Sequence, residues 1–406
     1  MVGSLRLRRH RTSVHSGIGR QSNQKMKKIF INALSAHQGG GQTYLLNLFE
    51  NRPKGEFEIH LLVHRKNRYL FERFRADDFM LVENNLASGN IVQRVLFEKF
   101  FLPGLLQRLG IDVYYAPGGI MNVAVPQGCT SVVAFRNMLP FQSESIAKYP
   151  LLSYMRFRNT VLRHVFLQSF RNADKVIFIS DYARAVIRRF IPDIDRKSTV
   201  IYHGLNEMFL YSPHKLISEE PFPYHDYYLY VSTLDVYKSQ LELIESWNTL
   251  TRTHNFSKKL LLVGPQDSFY GPLVTDKIRE YGLEDSVIYI GKVPYERLPL
   301  YYHHAEAILY ASICENCPNI LLESMASRKM IYCSNHQPMP EFGQESVVYF
   351  DPHDPDELVR LILSCDGDTE LHQDYGRKAM EQARKFDWVK TAHETFAYLT
   401  ESKIVL

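Results

Sequence analysis

The chain has 406 residues, 45% of them hydrophobic and 23% charged, which fits two globular domains of ordinary size and excludes a low-complexity protein. Its net charge of +4 is too small to imply nucleic acid as a partner, and no run approaches the ~18 apolar residues of a membrane span. Five scattered cysteines (Cys129, Cys314, Cys317, Cys333, Cys365) suit a reducing cytoplasm better than a disulfide framework.

Residues 1–26 carry Arg6, Arg8, Arg9, Arg11 and Arg20 with no acid and no apolar face, which predicts a disordered basic extension. A transit peptide has this composition, and a natural start at Met26 explains it more simply. From Lys27 the pattern becomes βαβ, with predicted strands at 28–34, 57–64, 112–116, 131–135, 175–180 and 199–203. Helical stretches lie between most of them, the signature of an α/β domain over 27–210. Gly39, Gly40 and Gly41 separate the first strand from the first helix. Glycines there let backbone come close to a ligand or simply make a tight turn, and their spacing matches neither a dinucleotide fingerprint nor a P-loop.

The strand ending at Phe135 delivers Arg136 and Asn137 to the carboxyl edge of the sheet, where open α/β sheets bind ligands. The stretch 148–171 has Lys148, Arg156, Arg158, Arg163 and Arg171, no acid, and many apolar residues. It reads equally as a basic amphipathic helix on an anionic membrane surface or as a core helix with a solvated basic face. A polar, proline-bearing segment at 211–226 predicts a linker.

A second α/β half follows at 227–386, with strands predicted at 227–232, 259–263, 287–291, 305–310, 330–334 and 347–351. Lys238 sits at the entrance of its first helix, where a point charge suits a pyrophosphate or faces solvent. The apolar run ending at Tyr310 leads into a polar loop and then an apolar-periodic helix from Ile320. Glu315 stands on that loop and Glu323 about a turn into the helix. The free N–H groups of such a helix start favour an anionic phosphate, although Asn316 or Asn319 as a plain cap is the duller explanation.

Glu315 and Glu323 fit an E-x7-E signature. With Ser312, Asn316, Pro318, Asn319, Leu322, Met325 and Ala326 around them, the stretch resembles the retaining glycosyltransferases of family 4. The resemblance implies the GT-B fold, an α/β architecture of two Rossmann-like domains facing a central cleft. It also implies a nucleotide-diphosphate sugar as donor, a saccharide or lipid-linked acceptor, no metal or other cofactor, and a place at the inner face of the membrane. Carried over residue by residue, Lys238 and Glu315 are the catalytic candidates. Gly39, Gly40, Asn316, Cys317, Pro318, Asn319 and Glu323 are the donor-binding candidates, with backbone N–H groups of Asn316–Asn319 steadying the phosphate. Arg136 and Asn137 stand where the family often carries a His–Asp pair facing the sugars, and Thr233 where it often carries an arginine. Those departures keep two rivals open: a non-catalytic nucleotide-sugar-binding subunit and a nucleotide-sugar epimerase of the same fold.

Glu341 is similar to a loop glutamate near the family's site, and the final segment, 387–406, is expected to cross back onto the first domain. Three D-x-D triplets, at Asp193, Asp354 and Asp366, end no apolar strand and read as turns and caps. Cys314 and Cys317 lack the further ligands that a structural zinc site needs.

Overall fold

The computed structural model describes residues 26–36, 39–210 and 222–401. The basic extension before Met26 and residues 211–221 of the expected linker lie outside the described residues. The first sheet is formed by β1 (Lys27–Asn32), β2 (Phe57–Val63), β3 (Phe79–Glu83), β4 (Val113–Ala116), β5 (Thr130–Phe135), β6 (Lys175–Phe178) and β7 (Ser198–Val200). Its order is β3-β2-β1-β4-β5-β6-β7, with parallel pairing throughout.

The second sheet holds β8 (Tyr227–Val231), β9 (Lys259–Val263), β10 (Val287–Gly291), β11 (Ala307–Tyr310), β12 (Met330–Ser334) and β13 (Val348–Phe350), in the order β10-β9-β8-β11-β12-β13. Its pairings are parallel as well. Two such sheets facing a cleft are the GT-B architecture.

The central strands of the first sheet are apolar on both faces because helices cover both faces of a parallel sheet. Ile29, Ile31, Val113, Tyr115, Val132 and Ala134 fill one face, while Phe30, Tyr114, Val133 and Phe135 fill the other. The strand missing from the sequence reading is β3. It lies at the sheet edge with only Phe79 fully enclosed, so it lacks the long apolar run of an inner strand.

Trp388, Ala392, Phe396 and Leu399 of the C-terminal helix Trp388–Thr400 pack into the core of the first domain. Phe396 stacks on Phe57 at 5.2 Å, and Lys175 Nζ donates to the Tyr398 carbonyl (2.7 Å) near the helix end.

In each sheet the chain order reverses beside the first strand, between β1 and β4 and between β8 and β11. The loops after those strands diverge at their carboxyl ends and leave a crevice. Lys238 follows β8 and Glu315 follows β11, so topology brings together two residues 77 positions apart.

Candidate active site

A cavity of about 620 Å³ lies between the domains. Lys238, Tyr295, Tyr310, Glu315 and Glu323 line it from the second domain, and Gly39, Gly40, Tyr44 and His203 from the first, with Trp388 beside them. Gly39 has φ +63°, a left-handed conformation that glycine adopts at no cost, and starts the helix Gly40–Glu50. A Cβ at Gly39 or Gly40 would meet nothing within 4 Å, so the two glycines leave open space on the cleft wall.

Lys238 ends a short 3-10 turn, Val236–Lys238, and Ser239 (φ +55°) redirects the chain into the helix Gln240–His254. The Tyr230 hydroxyl donates to the Lys238 carbonyl at 2.8 Å and fixes the turn. The Lys238 ammonium donates to Glu315 Oε1, which also accepts from the Tyr310 hydroxyl at 2.9 Å. Lys238 is buried, so this is a contact ion pair largely removed from water. Each charge offsets the desolvation of the other, and removing one alone strands its partner.

Glu323 lies inside the helix Asn319–Ala326. Burial pushes its carboxyl up to about 7, against a hydrogen bond from the Tyr295 hydroxyl to Oε1 (2.7 Å) that pulls the other way.

Asn319 does not cap that helix; its Oδ1 lies 3.3 Å from His203 Nδ1 and 3.6 Å from Cys317 Sγ. The His203 proton therefore belongs on Nδ1, leaving Nε2 as a buried acceptor without a partner. Burial, and then the Arg136 charge, push the imidazole down to about 3, so it is neutral at physiological pH. Its ring stacks on Trp388 at 5.5 Å and tilts toward Tyr44 at 5.1 Å.

Arg136 and Asn137 line an adjoining cavity of about 470 Å³ with Arg158, and that cavity shares Gly40, His203, Glu315, Cys317 and Asn319 with the main cleft. Arg136 Nε donates to the Pro117 carbonyl (2.7 Å), the guanidinium lies 4.4 Å over Tyr44, and Nη1 is enclosed without a partner.

Two expected roles are corrected. Asn316 is occupied across the domain interface: Nδ2 donates to the Phe135 carbonyl and Oδ1 accepts from Ser180 Oγ, each at 3.1 Å. The backbone of the same loop offers less than expected, since Pro318 has no N–H and that of Asn319 donates to the Cys317 carbonyl (2.9 Å). Glu341 lines no part of the cleft; its carboxylate accepts from the backbone N–H groups of Asp181 and Tyr182 (2.7 and 2.9 Å). It thus caps a first-domain helix, Asp181–Arg188, from the second domain.

Asp354 and Asp368 cap helices, through Glu357 N and Leu371 N, as the sequence implied. Cys314 packs into the apolar core of the first domain. The basic stretch divides: Phe166 and Phe170 of the helix Tyr154–Asn172 join that core, whereas Leu152, Tyr154 and Phe157 are exposed beside its arginines.

The sequence reading missed Tyr44, His203, Tyr295, Tyr310 and Trp388. Only His203 and Tyr310 carried a signal, as polar-tipped residues at the end of a predicted strand. The others are assembled by the crossing of the chain and have no local motif.

The model of the family described as Glycosyltransferase Family 4 matches residues 38–208, and that of Glycosyl transferases group 1 matches residues 218–382. The chain belongs to glycosyltransferase family 4. This family 4 chain is 26% identical over 235 residues, 56% of its length, to the O-antigen chain mannosyltransferase B of Escherichia coli. It is 28% identical over 127 residues, 30% of its length, to the N-acetylgalactosamine-N,N'-diacetylbacillosaminyl-diphospho-undecaprenol 4-alpha-N-acetylgalactosaminyltransferase of Campylobacter jejuni. The matches span 61% of the first relative and 34% of the second. Among solved structures, Anabaena HepE in complex with UDP and glucose superposes with a TM-score of 0.69 at 18% identity, over 93% of this chain and 100% of that one. At that identity the likeness concerns the fold.

Proposed function

We propose that this chain transfers a sugar from a nucleotide-diphosphate donor to a saccharide or lipid-linked acceptor, with retention of anomeric configuration, in cell-surface polysaccharide or glycolipid synthesis. The observation that carries the reading is the meeting of Lys238, Glu315 and Glu323 in one cleft, opposite the bare Gly39–Gly40 wall. Glu323 Oε2 accepts from ribose hydroxyls of the donor while Tyr295 holds Oε1. Glu315, fixed by Lys238 and Tyr310, takes a hydroxyl of the donor sugar on its remaining lone pairs. As the bond from C1 to the phosphate oxygen breaks, charge grows on the leaving diphosphate. Lys238 is shared between Glu315 and that charge, so its attraction is stronger in the transition state than in the ground state. The acceptor hydroxyl attaches to C1 and its proton passes to the departing phosphate.

Support for a polymer or lipid-linked acceptor comes from the relatives, one named for O-antigen and one for a diphospho-undecaprenol saccharide. The exposed Leu152, Tyr154 and Phe157 beside Arg156 and Arg158 suit the surface of an anionic membrane, and co-flotation with anionic liposomes that salt abolishes tests this. Among the described residues no helix is long and apolar enough to cross a membrane.

The deciding experiment is incubation with a panel of nucleotide sugars in EDTA. Slow release of free sugar and nucleotide supports a transferase that needs no metal. A new sugar isomer supports the epimerase, and binding without turnover of any donor supports the non-catalytic subunit.

A further inference from the structure

Away from the cleft, His336, Asp351 and His353 form a cluster that no step of the proposed transfer uses. His336 follows β12, and Asp351 and His353 follow β13, so two neighbouring parallel strands deliver them to the same sheet edge. The Asn335 N–H donates to the Phe350 carbonyl (2.9 Å), extending the strand pairing to the base of the cluster. Two further bonds hold the loops: the His353 N–H donates to Asp351 Oδ1 (2.9 Å) and the Asp351 N–H to Glu357 Oε2 (2.6 Å). The imidazoles meet edge to face at 5.3 Å, and His336 Nε2 lies 3.7 Å from Asp351 Oδ1.

One ligand atom from each of the three residues lies within 4.8 Å of the other two, and three atoms so spaced share a centre at most about 2.8 Å from each. Side-chain rotations of under about an ångström bring them to the bond lengths of about 2.1 Å that zinc makes to imidazole and carboxylate. Two imidazoles and one carboxylate select zinc and its transition-metal neighbours over magnesium or calcium, which take oxygen ligands. A fourth group comes from the other domain. Glu144, on the first-domain helix Ser143–Ala147, has Oε1 2.7 Å from His353 Nε2. It stands outside the triad and reaches it through this imidazole.

We infer that His336, Asp351 and His353 bind a zinc-class divalent cation, and that Glu144 approaches the ion from the first domain so that the metal ties the domains together. The His353–Glu144 hydrogen bond already joins the two domains, and Lys148–Glu242 and Tyr149–Asp235 (each 2.8 Å) join them as well. A metal held by His353 adds to these bridges and tightens the contact between the domains without being required for it.

The test is calorimetric titration of the untagged, EDTA-stripped full chain with zinc chloride at pH 7.5. The expected result is one zinc ion per chain that the double variant His336→Ala/His353→Ala loses while keeping the Tm of wild type in EDTA. Asp351→Asn, a near-isosteric change, should weaken the same event and serves if the double variant does not fold. Glu144→Gln should weaken it about tenfold, the effect expected of a group that supports a metal site without anchoring it. Equal zinc isotherms for wild type and the triad variants, or no binding by wild type, overturns the site. Unchanged affinity in Glu144→Gln overturns the link between domains.

Discussion

On the second-domain wall of the cleft, Lys238, Glu315 and Glu323 are ionisable groups held by tyrosine hydroxyls and by each other. The first-domain wall presents two glycines, a neutral imidazole, the Tyr44 ring and, in the adjoining cavity, the Arg136 and Arg158 guanidiniums, neither with a carboxylate partner among the described ion pairs. The difference teaches where binding and packing separate. On the proposed reading the charged wall takes the donor's diphosphate and ribose, and the first wall, beyond Gly39 and Gly40 where Arg136 stands, faces the acceptor.

If the walls divide the work in this way, substitutions should fall into two classes, and mixed results would break the division. The largest effect belongs to Trp388, buried against His203 and Tyr44. Trp388→Ala should cost about 3–5 kcal/mol of stability in urea unfolding. Unaltered stability with lost nucleotide affinity would instead place Trp388 in the donor site.

Next comes Lys238→Ala, expected to lower turnover roughly a hundredfold or more, the effect of losing one preorganised donor at a developing charge. It also leaves Glu315 buried without its cation. Adding Glu315→Gln should therefore recover stability in thermal melts without recovering turnover. Recovery of both would show that the pair is structural.

Glu323→Ala should weaken nucleotide binding by ~1.5–3 kcal/mol in calorimetry at pH 8. Wild-type affinity should rise from pH 6 to pH 8, because only the ionised carboxylate accepts from both ribose hydroxyls, and the rise should vanish in Glu323→Gln. Stability moves the other way. With the folded value near 7 and an ordinary value of 4.5, the folded chain holds the extra proton, so raising the pH through that window should remove about 3 kcal/mol.

The smallest effect sharpens the comparison most. Arg136→Gln should leave nucleotide affinity unchanged while raising the acceptor KM about tenfold, the loss of one charged hydrogen bond. A drop in nucleotide affinity would move Arg136 to the donor wall.

Legibility in the sequence follows the same division. Buried parallel strands advertise themselves as apolar runs, so both sheets were readable except for β3 at its edge. The donor wall was readable because Glu315 and Glu323 are eight positions apart on one strand–loop–helix, and Lys238 opens a helix. What escaped was made by distance. His203, Tyr44 and Trp388 meet only once the chain has folded back on itself, and Asn316 and Glu341 reach across the domain interface to groups the sequence does not place near them. The pairing of Lys238 with Glu315 also changes the reading of both, from two independent groups to one unit.

The return of the chain to the first domain has a mechanical consequence. Leu205 and Asp387 form a parallel bridge, with the Leu205 N–H donating to the Phe386 carbonyl at 3.0 Å. The outgoing and returning strands of polypeptide thus run side by side, bonded to one another, where they pass between the domains. Two tethers joined at one seam make a natural pivot, because sliding the domains past each other would break the bridge between them. Gly204 sits in that seam, and a Cβ there would run into the Trp388 backbone nitrogen. The pivot is therefore machined to backbone-to-backbone clearance, and any side chain at this position would pry its two leaves apart.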